Sequence, residues 1–368
     1  MPKRGGCPRR PAGEHQVHQS VGVIGAGVAG VACARTLQNA GRGVALFDRG
    51  RGPGGRLSTR RAPIDDDLTI HFDHGAPAFS AASARFSAIV DDWIELGLCA
   101  RWRPRRAVWR ADALHAIENE PALIVGVPTM GAICRRLAEG LDIRSGANVE
   151  LLERIDGGWL VRMTDSDGQA SAHGPFVCVV VAAPPPQALP LIALHAGELA
   201  EQLTKIEMRT TWALMLRIED PTPEAPDMIE IEGDPVIERI IRDDAKPGRT
   251  PDQGHSRWVV HATHAWSAAR RDHSQRQIVD ELAPASLALL GRLAGRPIDP
   301  AQTRHAAAHR WGAARPMNPL SADCLFDREL GLGVCGDCFE PHAGASGVEA
   351  AHLSGLATSE RLLKCLEA

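Results

Sequence analysis

The chain has 368 residues, enough for roughly two domains at about 150 residues each, and its 44% hydrophobic and 23% charged content excludes a disordered or collagen-like polypeptide. Forty-one basic against 45 acidic side chains leave a formal charge of −4, so there is no basic footprint for nucleic acid. The nine cysteines, odd in number and irregularly spaced, read as buried or free thiols in a reducing cytoplasm, and the chain has no tyrosine.

Residues 1–19 are basic and lack an apolar core, which argues against a secretory signal and predicts a disordered tail outside the fold. No apolar run is long enough to span a bilayer, so the expected address is the cytoplasm, with no membrane partner. The first structured segment is Val21-Gly22-Val23-Ile24 running into Gly25-Ala26-Gly27-Val28-Ala29-Gly30. A strand that enters a G-x-G-x-x-G turn and a helix is the pattern of a dinucleotide cradle. Gly25 allows the tight turn, Gly27 a close approach to pyrophosphate, and Gly30 close packing of helix on strand. Val28 and Ala29 open the helix, whose N-terminus offers N–H groups and positive dipole to phosphate. A second strand ends at Asp48, 23 residues beyond Gly25, where a carboxylate accepts hydrogen bonds from ribose hydroxyls and repels a 2′-phosphate.

Directly after that acid comes Arg49-Gly50-Arg51-Gly52-Pro53-Gly54-Gly55-Arg56-Leu57. Gly54 and Gly55 let main chain pass close to a ligand, and Arg56 can pair with a phosphate. Further on, Val177–Ala183 reads as a buried strand stopped by three prolines. Asp220–Asp227 and Asp243–Ser256 read as polar surface loops, and the arginine cluster over residues 101–106 as a solvated loop in preference to a contact for a nucleotide phosphate. Ser274–Leu293 reads as a helix interrupted near Pro284.

Asp48 to Arg56, read with the glycine triplet, resembles the two-part FAD signature of the flavin amine oxidase superfamily. His71-Phe72-Asp73-His74-Gly75-Ala76 is similar to that family's segment passing the flavin ring. Val179–Pro184 resembles its strand beside the adenosine half. Leu332–Asp337 with Gly347-Val348-Glu349-Ala350 resembles its closing motif, with Ala350 where glycine is frequent. The resemblance implies FAD as cofactor, with His74, Gly75, Ala76, Val149, Gly336, Asp337, Gly347, Val348 and Glu349 added to the cofactor contacts. It further implies a ribityl bond from Asp337 and a helix N-terminus aimed at the flavin N1/C2 edge. The implied fold is α/β: a Rossmann-type (GR2-like) FAD domain from residues 20–80, 145–190 and 300–368. An inserted substrate domain of mixed sheet and helices takes 81–144 and 191–299.

Within the superfamily, Leu46–Arg56, Thr211-Trp212-Ala213, Trp258–Thr263, Trp266-Ser267 and His309-Arg310-Trp311 most resemble bacterial renalase-like flavoproteins, with Ala313 departing from the aromatic common in relatives. That implies a dihydronicotinamide dinucleotide substrate and O2 as acceptor. Such a donor needs no general base, and none is obvious. Arg310, Trp311 and His261 are the substrate-side candidates: Arg310 for a phosphate, Trp311 for stacking, His261 at a strand end. The missing tyrosine lowers the case for an amine oxidase, which stays open beside a desaturase-type enzyme, a flavin monooxygenase and a non-catalytic FAD-binding scaffold. Cys335 and Cys338 have CxxC spacing without a partner pair, and the histidines form no spacing typical of a metal site, so no metal is expected.

Overall fold

The computed structural model describes residues 20–66, 68–219, 225–250 and 252–367; the expected tail at 1–19 and most of the loop at 220–227 lie outside them. The apolar strand β1 (Ser20–Ile24) pairs in parallel with β2 (Gly43–Asp48), and helix α1 (Val28–Asn39) makes the crossover. On its other side β1 pairs in parallel with Cys178–Val181. The six-stranded sheet reads 325–327, 332–334, 178–181, β1, β2, 142–145, with only its 325–327 edge strand antiparallel. Val179, Val180 and Val181 are fully buried, as a parallel sheet covered on both faces requires. Because the chain leaves β1 toward β2 and returns on the opposite side, β1 marks the switch in strand order. A crevice opens there at the carboxyl ends of the strands. Helix α2 (Ala84–Glu95) follows, its N-terminus capped by the Ser83 side chain accepting from Phe86 N.

The second layer is a seven-stranded sheet. It contains β3 (Met208–Ile218), β4 (Ile237–Arg242), β5 (Ser256–Ala262) and β6 (Thr303–Pro316), ordered β6-β3-β5-β4 and continued by 228–231, 106–110 and 113–117. Strand alternation sorts its side chains onto two faces. Trp212, Leu214, Leu216, Trp258 and Val260 turn to one side, against Ile278, Leu282, Leu289 and Leu290 of helix α3 (Gln275–Leu293). Met215, Val259 and Ala307 turn to the other, against Ala62, Ile70 and Phe72 of the two-stranded hairpin 60–72.

The mixed α/β architecture agrees with the sequence, and three local expectations change. Residues 303–316 pair along β3 in the second sheet, although the sequence groups them with the nucleotide-binding stretches. Helix α3 runs unbroken through Pro284. The lost backbone bond costs about 3 kcal/mol, and the buried apolar face on both sides of the proline offsets it. The stretch 243–256 is a surface loop only in part, since Asp243, Lys246, Arg249 and Ser256 are buried while Gly248, Thr250, Gln253 and Gly254 are exposed. Among the described residues, no helix is long and apolar enough to cross a membrane.

Candidate functional site

The crevice at the switch point is built from glycines. Gly25 adopts φ +105°, and a Cβ there would stand 2.6 Å from the Ala182 carbonyl oxygen. A Cβ on Gly30 would stand 1.9 Å from the Gly25 oxygen, so only glycine lets α1 start this close to β1. Gly27 caps α1 with no side-chain cap, and no acid stands in the first turn, which leaves its positive end for an anion. Val28 and Ala29 are buried beneath it.

The second glycine loop folds onto the first. Gly54 N donates to Ala26 O at 2.9 Å. A Cβ on Gly55, at φ +52°, would stand 3.2 Å from the Gly27 Cα. The Asp48 carboxylate is fixed at the end of β2, accepting from Ala26 N and from Gly50 N, each at 2.6 Å. Arg49 is exposed beyond it, Leu57 is buried below the loop, and Val149 is half-buried on the strand Asn148–Ile155. Ala147 N, two residues before Val149, donates to Asp48 O at 2.9 Å.

A bidentate ion pair joins this loop to the C-terminal motif. Both terminal nitrogens of Arg56 reach Asp337, at 2.7 Å each. Arg56 also donates to Ala314 O at 3.3 Å. Asp337 is almost fully buried, and its neighbour Gly336 needs φ +159°. The C-terminal helix α4 (Gly347–Leu366) begins at Gly347 (φ +57°), again with no side-chain cap, and Val348 and Ala350 are buried. It lies tightly on α1, since a Cβ on Gly355 would stand 2.2 Å from Ala29 O.

Glu349, expected among the cofactor contacts, points its side chain elsewhere. Its carboxylate accepts from Ala82 N at 2.7 Å, Ser83 N at 2.9 Å, Ser83 Oγ at 2.5 Å and His342 Nε2 at 2.9 Å. Burial alone would raise its pKa, but the bonds from Ser83, Ala82 and His342 hold it below the usual carboxylate range. The reason is helical geometry: from α4 the residue faces the start of α2, where donors need an acceptor.

The third wall is the segment 73–76. Ala76 N donates to Arg56 O at 2.9 Å, and a Cβ on Gly75 would stand 2.0 Å from that oxygen and 3.2 Å from the Trp311 ring. Trp311 Nε1 donates to His74 O at 2.9 Å. The His74 ring lies 5.1 Å from Trp311 and 4.7 Å from His309, and His309 lies 4.5 Å from Trp311. His74 Nδ1 and His261 Nε2 are buried without a hydrogen-bond partner. Burial, then His309, pushes His74 down to about 4; burial, then Arg239, pushes His261 down to about 3. Both imidazoles are therefore neutral at neutral pH. Arg310 is not part of this wall. One residue before Trp311, it turns to the opposite face of β6, where it is exposed and donates to Arg271 O.

An ionic quartet behind His74 escapes sequence reasoning. Asp73 Oδ1 accepts from Thr59 Oγ1 at 2.7 Å and Met130 N at 3.0 Å. Asp73 Oδ2 accepts from Lys246 Nζ at 3.1 Å and from Arg249. Lys246 also reaches Asp243 at 2.5 Å. Burial would raise Asp73, yet Lys246 and Arg249 hold it well below the usual carboxylate range, whereas burial leaves Asp243 raised. The available signal was Asp243 and Lys246 at opposite charge and i, i+3 spacing. Cys335 and Cys338 are buried, and burial pushes both thiols up, Cys338 to about 12, so they pack rather than react. Among the described residues, no three histidine, cysteine or acidic side chains group as a metal site.

The model of the NAD(P)-binding Rossmann-like domain family matches residues 23–93. Solved structures resemble the chain over nearly its whole length. A protein assigned as protoporphyrinogen oxidase from Exiguobacterium sp. 255-15 superimposes with TM-score 0.68 at 13% identity, covering 94% of this chain and 99% of that one. The chain carries their fold. A putrescine oxidase variant redesigned in its cofactor binding gives TM-score 0.65 at 13% identity, covering 95% and 99%. Reduced UDP-galactopyranose mutase gives 0.69 at 10% identity, covering 94% and 96%.

Proposed function

We propose that the protein is an FAD-dependent oxidoreductase of the renalase-like kind, oxidising a dihydronicotinamide dinucleotide. The observation that carries the reading is the meeting of four separated stretches: 54–56 folds onto 25–30 at the uncapped start of α1, and Arg56 ties 73–76 and 336–337 to it. The cradle fits the cofactor. Gly27 meets only a distant Gly55 Cα where its Cβ would be, and two uncapped helix N-termini are at hand. Asp48 would hold the adenosine ribose and α1 the pyrophosphate, with Gly54, Gly55 and Arg56 beside it. Asp337 would hold the ribityl chain, and Val149 lies on the adenosine side. FAD, when bound, accepts a hydride at N5 and passes two electrons to O2, giving hydrogen peroxide.

The chain's own contribution is position and field. Trp311 offers a flat face for a planar ring, held by its bond to His74 O. The neutral imidazoles of His74, His261 and His309 add polarity without charge. The charges bearing on them are mainly Arg60 and Arg239, with Asp73 already paired to Lys246 and Arg249. Such a wall suits a neutral dihydropyridine ring better than a protonated amine. Strands 106–110 and 113–117 with those between 208 and 262, joined by strand β6, build the sheet on the substrate side.

The test is anaerobic mixing of the holoenzyme with 2- and 6-dihydronicotinamide isomers, ordinary NADH and a set of amines. Rapid bleaching by a dihydronicotinamide isomer, with peroxide released on admitting air, is expected. Bleaching by amines alone would reject the substrate assignment, and no bleaching by any donor would reject the enzyme reading.

A further inference from the structure

Beyond Trp311, strand β6 bulges and then brings Arg315 opposite Arg209 of β3. Both guanidiniums reach the same carboxylate, Glu238 of β4: Arg209 at 3.0 Å and Arg315 at 2.8 Å. Next to Glu238, Arg239 stands opposite His261 in the sheet and pairs with Glu230 at 2.7 Å. Strand β4 bulges between Ile237 and Arg239, which sets Glu238 and Arg239 side by side, and with these ion pairs the five groups form one cluster whose other four charges all bear on Arg315. Four are mostly removed from water, with side-chain exposures of 23% for Arg209 and Arg239, 24% for Glu238 and 29% for Glu230; Arg315 is half exposed at 51%.

We propose that Arg209, Arg239 and Arg315 form an oxyanion subsite that receives a phosphate-bearing part of the substrate, with Glu238 holding two of the guanidiniums in place until it binds. The inference rests on the proposed oxidoreductase activity only for what the phosphate is attached to. Three guanidiniums against two carboxylates leave one net positive charge. They also leave a surplus among about fifteen N–H donors, five per guanidinium. A planar fork of this kind matches phosphate oxygens in pairs. A cationic cluster of ordinary surface character would be solvated. This one is half-buried, and its Arg315 lies on the strand that carries Trp311, four residues on and within roughly 13 Å of it at about 3.3 Å per residue. One elongated molecule can therefore place a ring on Trp311 and an oxyanion on the arginines. The same surplus charge disfavours a polyamine, which would set cations against guanidiniums.

Calorimetric titration of inorganic pyrophosphate into the FAD-loaded holoenzyme tests the subsite, because FAD already fills the α1 cradle. Binding to the wild type is expected, with at least tenfold weakening in R209Q/R315Q and partial recovery in R209K/R315K. E238Q removes the competing carboxylate and is expected to tighten pyrophosphate binding several-fold, a gain that a purely structural role for the cluster would not give. No detectable binding to the wild type, unchanged affinity in R209Q/R315Q, or weaker binding in E238Q would overturn the proposal. A second arm compares flavin reduction by dihydronicotinamide donors with and without phosphate. The phosphorylated donor should saturate at tenfold or more lower concentration, and R209Q/R315Q should bring that ratio toward one. If no dihydronicotinamide reduces the flavin while the pyrophosphate results hold, the substrate assignment fails and the subsite stands. If donors reduce it and the variants leave the ratio unchanged, the subsite fails and the activity stands.

Discussion

Replacing Lys246 with methionine is the sharpest perturbation of the wall behind His74. In the wild type the quartet is neutral, with Asp73 and Asp243 against Lys246 and Arg249, and both Lys246 ion-pair contacts have fully buried side chains. At an effective dielectric near 20, a pair at about 3 Å attracts by roughly 5 kcal/mol, most of it offset by the cost of removing the charges from water. K246M removes that attraction and leaves the desolvation of Asp243 uncompensated, so the expected loss is about 3–5 kcal/mol, as for other broken buried pairs. The double variant K246M/D243N removes both charges and leaves Asp73 with Arg249 and Thr59; it should recover most of the loss. Urea unfolding of the FAD-loaded proteins measures both. Asp243 is an acid already raised by burial, so in K246M it is the group that takes up a proton. A folded pKa above the unfolded value favours the fold at low pH, and the deficit of K246M should narrow as pH falls. A loss below about 1 kcal/mol in K246M, or a double variant no better than the single one, would refute the assigned quartet energetics.

The remaining expectations concern the cradle, the wall and pH. G30A drives a Cβ into the Gly25 carbonyl, so α1 must move off β1 and FAD should be lost on gel filtration. R56Q and D337N each open the clasp between glycine loop and C-terminal motif, and FAD dissociation constants measured by fluorescence should rise at least tenfold. W311A should slow flavin reduction by tenfold or more, while R310A, on the other face of β6, should change it less than twofold; rapid mixing distinguishes them. Burial, with Arg85 adding to it at His352, lowers His74 and His352 to about 4 from 6.5. Each stays neutral in the fold while the unfolded chain takes up protons. Stability should therefore fall as pH drops from about 6.5 toward 4, by on the order of 1.4 kcal/mol per pH unit per group; below 4 these two contributions level off while His261, lowered to about 3, keeps a shallower slope. Denaturant midpoints across that range check the slope.

What the sequence discloses here is what the backbone needs. Gly25, Gly30 and Gly55 are legible because turn and close approach admit no Cβ, and Asp48 because it ends a strand at a fixed distance from them. Trp311 is legible as a substrate-side aromatic in a segment outside the cofactor motifs, but its neighbour Arg310 misleads. Alternation along a strand puts adjacent residues on opposite faces, and sequence does not say which face is inward. Glu349 misleads similarly, because the acceptor-hungry start of α2 lies 266 residues away in the chain. The quartet hides for the same reason: Asp73 and Lys246 are 173 residues apart, and a charged stretch read alone looks solvated. Pro284 shows a strong local rule overridden by packing on both sides of it.

The central claim is that four separated stretches close around one FAD. Denaturing the purified, folded protein by heat and identifying what enters the supernatant tests it directly: one FAD per chain is the result predicted here. A supernatant free of flavin, from folded protein that also fails to take up added FAD, would contradict it.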